Sequence, residues 1–208
     1  MYEFLADLDE YFCEKYANYD KLCILPGYKM PMMQASEVRA DGRTYAYTLP
    51  ASTMRLATQE KKAELLAELK NRMVDTNFSF SFRPKSLFSR IRDTFSKYAF
   101  HKCLKIVLEK YKISEKAALE NLAVSEEIWR NICKGKFSPS LNLLYSLALT
   151  AQLSIDDTGY LLSLCGFEWD YANVRDVVVA YLLSHRVYNP EMIQAALNEY
   201  KITSLFIK

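Results

Sequence analysis

The sequence is poor in the residues on which most catalytic and nucleotide-binding sites depend. Its 208 residues include only two histidines, His101 and His185, and five glycines, all isolated from one another. Two histidines offer little for a histidine-based metal or acid–base site, and isolated glycines do not form a glycine-rich phosphate loop. The five cysteines include no CxxC pair, which argues against a zinc site or a disulfide framework. We therefore expect a protein that is not an enzyme and that uses no cofactor or metal.

Long apolar runs and a secretory signal are also missing. No uninterrupted apolar run reaches the ~20 residues that cross a bilayer, and the first residues, MYEFLADLDEYF, are acidic where a signal peptide is basic and then apolar. The expected location is the cytoplasm, without a membrane partner. Half of the residues are apolar, which is enough for a buried core.

Positive charge is concentrated in one stretch, residues 83–110. It contains eight Lys and Arg against two Asp and Glu, whereas the regions on both sides are mildly acidic. Three uses of this stretch stay open: binding of a phosphate backbone with aromatic side chains stacking on bases, docking against acidic protein surfaces, or solvation of a helix face. The candidate phosphate contacts are Arg83, Lys85, Arg90, Arg92 and Lys97.

Residues 1–82 predict a small α+β unit. Apolar residues at helical spacing predict a helix over 2–17, and Asp41-Gly42 between two runs of β character predicts a hairpin. A second helix, capped by Thr58, and a strand with alternating phenylalanines over 78–82 complete the unit.

The rest of the chain has the patterns of helices. Residues 83–112 are expected to form a basic linking helix, over about 87–111, and 113–208 a helical domain. Its predicted helices are 114–121, 125–134, 140–152, 155–165, 171–185 and 190–200. Ser125, Ser154 and Asn189 are expected to cap helices, and Gly135 and Gly166 to end them. The helix over 140–152 is apolar nearly all round, which predicts the centre of the domain.

Four motifs in this region, taken in order, resemble the helix-turn-helix domain of the Cro and lambda-repressor type. They are the turn Ala123-Val124-Ser125, the step Lys134-Gly135-Lys136, the step Pro139-Ser140, and the closing segment LSIDDTGYLLSLCGF. The resemblance covers about residues 98–167. The chain is also similar to helical modules of Firmicutes proteins, some of them fused behind macro domains, in which two further helices follow. This resemblance implies a helix-turn-helix-like fold extended by two helices, and it leaves the N-terminal unit unassigned.

In the DNA-binding members of that family, the start of the second helix enters the major groove and flanking groups hold phosphates. Val124, Ile128 and Ile132 are expected to point inward. The matching outward positions are Ser125, Glu126, Glu127, Arg130 and Asn131, followed by Lys134 and Lys136. The two glutamates oppose a duplex that carries one negative charge per ~1.7 Å of axis, so we do not expect this helix to contact DNA sequence-specifically.

Aromatic side chains suggest a protein partner instead. The chain has 15 tyrosines and 11 phenylalanines, residues that are enriched at protein interfaces. The candidate contact residues are Met30, Met32, Met33, Tyr45, Tyr47, Glu126 and Glu127. The sequence therefore predicts a non-catalytic regulatory or adaptor protein that binds another protein, with a second copy of the chain as a further candidate. The alternative is a transcriptional regulator that uses the helix-turn-helix and residues 83–110.

Overall fold

In a computed structural model, the chain is described at residues 2–17, 34–38, 42–48, 62–74, 82–203 and 205–208. In these ranges it is mainly helical, as predicted. The helices are α1 (Tyr2–Lys15), α2 (Lys62–Arg72), α3 (Leu87–Phe95), α4 (Phe100–Lys110), α5 (Glu115–Glu120), α6 (Glu126–Cys133), α7 (Leu141–Thr150), α8 (Ile155–Leu164), α9 (Val174–Ser184) and α10 (Pro190–Glu199). The strands are β1 (Gln34–Val38), β2 (Thr44–Thr48), β3 (Arg83–Pro84) and β4 (Phe137–Ser138). No helix within the described ranges is long and apolar enough to cross a membrane.

Serine and asparagine side chains set the starts of the helices. The Ser125 and Ser154 hydroxyls accept hydrogen bonds from the backbone N–H three residues later, and Asn189 caps α10 ahead of Pro190. Each cap satisfies a backbone donor that the first turn cannot pair within the helix. The caps predicted at Ser125, Ser154 and Asn189 are therefore confirmed, and Thr58 lies outside the described residues.

The helix ends share one geometry. Gly135 and Gly166 adopt left-handed conformations with φ of 68° and 78°, as predicted. Four non-glycine residues take the same conformation, Lys112, Gln152, Arg186 and Lys201. In each case the next residue donates its N–H to a carbonyl five residues earlier, for example Leu153 to Ala148 at 2.9 Å. This bond closes the last turn and directs an apolar residue back into the core.

The core is centred on α7 and α9. Residues 142–149 of α7 and 175–183 of α9 are all buried, which confirms the predicted central position of α7. The same cluster contains Leu8 and Phe12 of α1 and Leu66 of α2. Among the described residues, the helices of the predicted N-terminal unit therefore contribute to the core of the helical domain.

The predicted hairpin is confirmed by β1 and β2, which pair antiparallel with Glu37 opposite Tyr45. Gly42, in the turn between them, has φ of 74°. The predicted strand over 78–82 falls outside the described residues except for Phe82. The ring of Phe82 packs on Phe206, with 5.8 Å between the ring centroids.

The prediction of one linking helix over 87–111 is wrong, because the chain forms two helices there, α3 and α4. Ser96 and Ala99 both have extended backbones, at ψ of 133° and 129°. Ala99 and Phe100 are buried, so the chain turns inward at this point. The Lys102 ammonium then donates to the carbonyls of Thr94 and Ser96 at 2.8 and 2.9 Å, which satisfies acceptors at the end of α3. The helical pattern runs through residues 96–99, but these tertiary contacts break it.

Candidate interaction surface

Helix α3 lies on the protein with its polar side inward. Asp93 is the buried residue of the helix, and its Oδ2 lies 2.7 Å from Nζ of Lys85. The apolar residues instead face solvent: Leu87, Phe88, Ile91 and Phe95 are 71%, 87%, 58% and 83% exposed. A surface helix of a globular protein normally has the opposite orientation, with its apolar stripe in the core.

Contacts at both ends hold α3 in this orientation. Before the helix, β3 pairs with β4, with Arg83 opposite Ser138, and the Lys85 N–H donates to the Lys136 carbonyl at 2.8 Å. After the helix, Lys102 binds the terminal carbonyls at 2.8 and 2.9 Å. The exposed apolar side is therefore the consequence of specific polar contacts on the other side.

The apolar side chains of α3 form a compact sector. With 3.6 residues per turn, each residue advances by about 100° around the axis, so Leu87, Ile91, Phe95 and Phe88 span about 100°. Arg92 follows at one border of this sector, about 40° beyond Phe88, and Arg90 lies about 60° outside the other border. Both arginines are exposed, and neither forms an ion pair with a described residue. We call the sector, together with Tyr98, the outer face of α3.

Tyr98 extends this face toward α8. It is 73% exposed and lies close enough to Tyr160 to interact with it electrostatically. The Tyr160 hydroxyl donates to Sγ of Cys103 at 3.2 Å, and this hydrogen bond is the main reason that the pKa of Tyr160 is raised. One side of Tyr160 is thus attached to α4 while the ring stays partly exposed.

Helix α6, the recognition helix of the resemblance, buries Trp129, Ile132 and Cys133. Val124 and Ile128 are half-buried against the core, so the three predicted inward residues all contact it. Trp129 was missed by the sequence prediction, although it lies three and four residues before Ile132 and Cys133, on the same face.

The outward side of α6 mixes charges. Glu126, Glu127, Arg130 and Lys134 are exposed, and one guanidinium nitrogen of Arg130 lies 3.7 Å from a Glu126 oxygen. The Ser125 hydroxyl caps the helix through the Ile128 N–H at 3.4 Å. The first turn therefore presents two carboxylates where a DNA-contacting helix requires donors for phosphate and bases.

The structure changes the assignment of one predicted phosphate contact. Lys85 is paired with Asp93, and its side chain is only 16% exposed. It therefore contacts the inward side of α3 and does not face solvent. The other predicted basic residues are exposed: Arg83, Arg90, Arg92, Lys97, Lys134 and Lys136. Asn131 is half-buried, and its carbonyl accepts from the Lys136 N–H at 2.7 Å. The ribbon of β3 and β4 pairs Arg83 with Ser138, a proximity that sequence spacing did not predict.

A groove of about 300 Å³ lies between α4, α5 and α6. Its walls include Lys105 and Glu115, 3.4 Å apart, and its floor includes Trp129 and Cys133. Burial, followed by the nearby Glu115 carboxylate, raises the pKa of the Cys133 thiol to about 12. A thiol of this kind is protonated at neutral pH and is not a nucleophile.

The remaining predicted contact residues lie in or near the hairpin. Tyr45 is 38% exposed and lies on β2 with Tyr47, which pairs with Ala35. Met30, Met32 and Met33 lie outside the described residues. Cys13, Cys103 and Cys133 are buried, and Cys165 is half-buried; Cys23 is not among the described residues. Within the described ranges, His, Cys, Asp and Glu form no cluster that could hold a metal ion.

No family model, curated protein or solved structure matches this chain. The resemblance to the Cro and lambda-repressor type therefore stays a prediction.

Proposed function

We propose that this chain is a non-catalytic regulatory or adaptor protein of the cytoplasm that binds another protein through the outer face of α3. The observation that supports the proposal most directly is the outward orientation of Leu87, Phe88, Ile91 and Phe95 on a helix that is anchored from behind. Contiguous exposed apolar patches are uncommon on monomeric proteins and often mark interaction sites.

Covering this face removes apolar surface from water, which favours binding. Removing a Leu, Ile or Phe side chain fully from water is worth about 1.5–3 kcal/mol, and four such side chains on α3 are more than half exposed. Because Lys85, Lys102 and the strand ribbon already hold the helix, binding requires little further ordering of the backbone. The face and the residues at its borders combine Phe, Tyr and Arg, which are enriched in protein interfaces.

Site-specific photo-crosslinking in the native host tests the proposal. A photoreactive phenylalanine analogue is placed at Phe88, and a matched one at Glu120, which is exposed on α5. We expect discrete protein adducts from position 88 that are missing from position 120. Identical adducts from both positions, or none from position 88, would contradict the proposal.

A DNA-binding transcriptional regulator is the second candidate. The observation that favours it is the ribbon of β3 and β4, which pairs Arg83 with Ser138 and joins the Lys85 N–H to the Lys136 carbonyl. Exposed cations in this arrangement could contact a phosphate backbone, whereas Glu126 and Glu127 oppose it.

Duplex binding measured at increasing salt separates the two candidates. A regulator would lose affinity steeply with salt, and Arg130→Glu/Lys134→Glu would remove that dependence. We expect no measurable duplex binding at low salt. Tight, salt-sensitive binding that is lost in the double variant would make the second candidate the better one.

A further inference from the structure

The outer face of α3 also carries information about the chemistry of its partner. We infer that it binds an amphipathic helix of another protein, one whose apolar stripe is bordered by carboxylates. This inference rests on the proposed function, since it concerns the occupant of the same surface.

The spacing of the apolar residues fits a helical occupant. Leu87, Ile91 and Phe95 follow one another at four-residue intervals, and such rows form the ridges that pack into the grooves of a second helix. At 1.5 Å per residue the row is about 12 Å long, which matches two to three turns of the partner. Phe88 lies beside this row and is the most exposed of the four side chains, at 87%.

The charges beside the row fit an acidic occupant. Arg90 and Arg92 lie outside opposite borders of the apolar sector and are exposed, so a helix lying on the sector has a guanidinium on either side. Arg83 and Lys97, at the two ends of α3, are exposed cations as well. Planar guanidinium groups bind carboxylates through two parallel hydrogen bonds, which makes Asp and Glu the complementary border residues.

Two other occupants fit less well. A second copy of the chain packed through the same face would bring arginines of both copies toward one another, and like charges at an interface oppose association. An anionic bilayer also attracts basic amphipathic helices. The face, however, includes Tyr98 next to Tyr160, and its border cations are arginines. This composition is typical of protein interfaces.

Selection of peptides tests the inference with the whole chain. The probe is a random peptide library displayed on phage, with peptides long enough for three helical turns, and the enriched sequences are measured by fluorescence anisotropy. We expect net negative peptides with apolar residues at three- and four-residue spacing. Enriched peptides that are neutral or basic, or that lack this spacing, would overturn the inference.

Charge variants test whether the selected peptides bind at the outer face of α3. Arg90→Glu/Arg92→Glu should weaken the selected peptides by about tenfold or more, because each border pair becomes repulsive. Lys116→Glu/Lys208→Glu changes two exposed cations outside residues 83–98 and should leave the affinity unchanged. Equal losses in both double variants would overturn the inference.

Lipid vesicles test directly whether the outer face of α3 binds a bilayer. Co-sedimentation is measured with vesicles of phosphatidylcholine alone and with added phosphatidylglycerol, for the unchanged chain and for Phe88→Ser/Phe95→Ser. We expect no sedimentation that depends on these phenylalanines. Sedimentation with the anionic vesicles that is lost in the variant would assign the face to a membrane and overturn the inference.

Crosslinking distinguishes failure of the acidic-helix inference from failure of the proposed function. Protein adducts at position 88 with a neutral or basic partner segment would overturn only the acidic-helix inference. The lack of protein adducts at position 88 would overturn the proposed function itself.

Discussion

The ammonium of Lys85 lies 2.7 Å from Oδ2 of Asp93, and both side chains are largely buried, at 16% and 11% exposure. Lys85 lies just before α3 and Asp93 in its last turns, so one ion pair ties the inward side of the helix to its entry segment. The apolar side of α3 faces solvent because this polar side is the one that the protein covers.

Removal of one partner of that ion pair should destabilise the protein. Lys85→Met leaves the Asp93 carboxylate without its cation, and we expect a loss of about 2 kcal/mol in the free energy of unfolding. Breaking a fully buried pair costs ~3–5 kcal/mol, but both of these side chains keep some contact with water. Urea denaturation followed by circular dichroism measures the loss. Arg72→Met is the matched control, because Arg72 pairs with Glu68 on the exposed side of α2 and should lose less than ~0.5 kcal/mol. Equal losses in the two variants would contradict the supporting role of Lys85.

Gly135 is required for two separate reasons. Its φ of 68° disfavours any side chain, and an added Cβ would lie 2.6 Å from Nδ1 of His101. Gly166 has a similar φ of 78° with open space around it. We expect Gly166→Ala to cost about 1 kcal/mol from the backbone alone, and Gly135→Ala to cost more because of His101. In a His101→Ala background the two glycine substitutions should cost the same. Urea unfolding is measured for the unchanged protein, for His101→Ala and for each glycine substitution in both backgrounds. A difference between the two glycine substitutions that persists without His101 would contradict the role of His101.

Asp157 should make the stability of the protein depend on acid pH. Burial acts to raise the pKa of this carboxyl, but hydrogen bonds from Lys110, Tyr111 and Ser154 outweigh it and hold the pKa below its usual 3.8. A carboxyl with a lowered pKa in the folded state contributes stability above its unfolded pKa and loses that contribution as pH falls through the folded value. Asp157→Asn should therefore cost about 1 kcal/mol at pH 7, and the difference from the unchanged protein should shrink below about pH 4. Urea denaturation across this range measures it. The control is Asp156→Asn, since Asp156 is exposed and its substitution should lower the free energy of unfolding by less. If the loss caused by Asp157→Asn did not change with pH, the stabilising role of these hydrogen bonds would be contradicted.

The apolar residues of α3 should contribute almost nothing to the stability of the fold. Phe88 and Phe95 are 87% and 83% exposed. We therefore expect each substitution in Phe88→Ser/Phe95→Ser to change the free energy of unfolding by less than about 0.5 kcal/mol. Phe100, on α4, is 4% exposed, and we expect Phe100→Ala to lower the free energy of unfolding by ~3–5 kcal/mol. A large loss in the α3 variant would show that the face is covered by the protein's own chain. Near-neutral stability also ensures that a loss of binding in this variant reflects the surface.

Local signals predicted much of the fold. The serine and asparagine caps, the Gly135 and Gly166 stops and the apolar helix α7 all follow from interactions within a few residues, and each of these predictions is confirmed. The hairpin of β1 and β2 follows from Asp41-Gly42 in the same way, because turn residues restrict the backbone irrespective of the rest of the protein.

Other features depend on contacts that helical periodicity does not show. The break between α3 and α4 requires the inward packing of Ala99 and Phe100 and the capping by Lys102, and the ribbon requires Arg83 to meet Ser138. Nothing in the local pattern distinguishes residues 96–99 from a continuing helix. In the candidate surface, sequence spacing correctly indicated a basic, aromatic region, but it did not indicate that Lys85 is paired inward.

The sequence by itself determined where the helices begin and end around α6 and α7, the all-round apolar character of α7 and the concentration of positive charge at residues 83–110. Only the tertiary structure decided which side of α3 is covered. Periodicity locates an apolar stripe on a helix and carries the assumption that the stripe is buried, because burial of apolar surface is the main driving force of folding. On α3 the pair of Asp93 with Lys85 and the capping by Lys102 place the polar side against the protein, and the apolar stripe faces solvent.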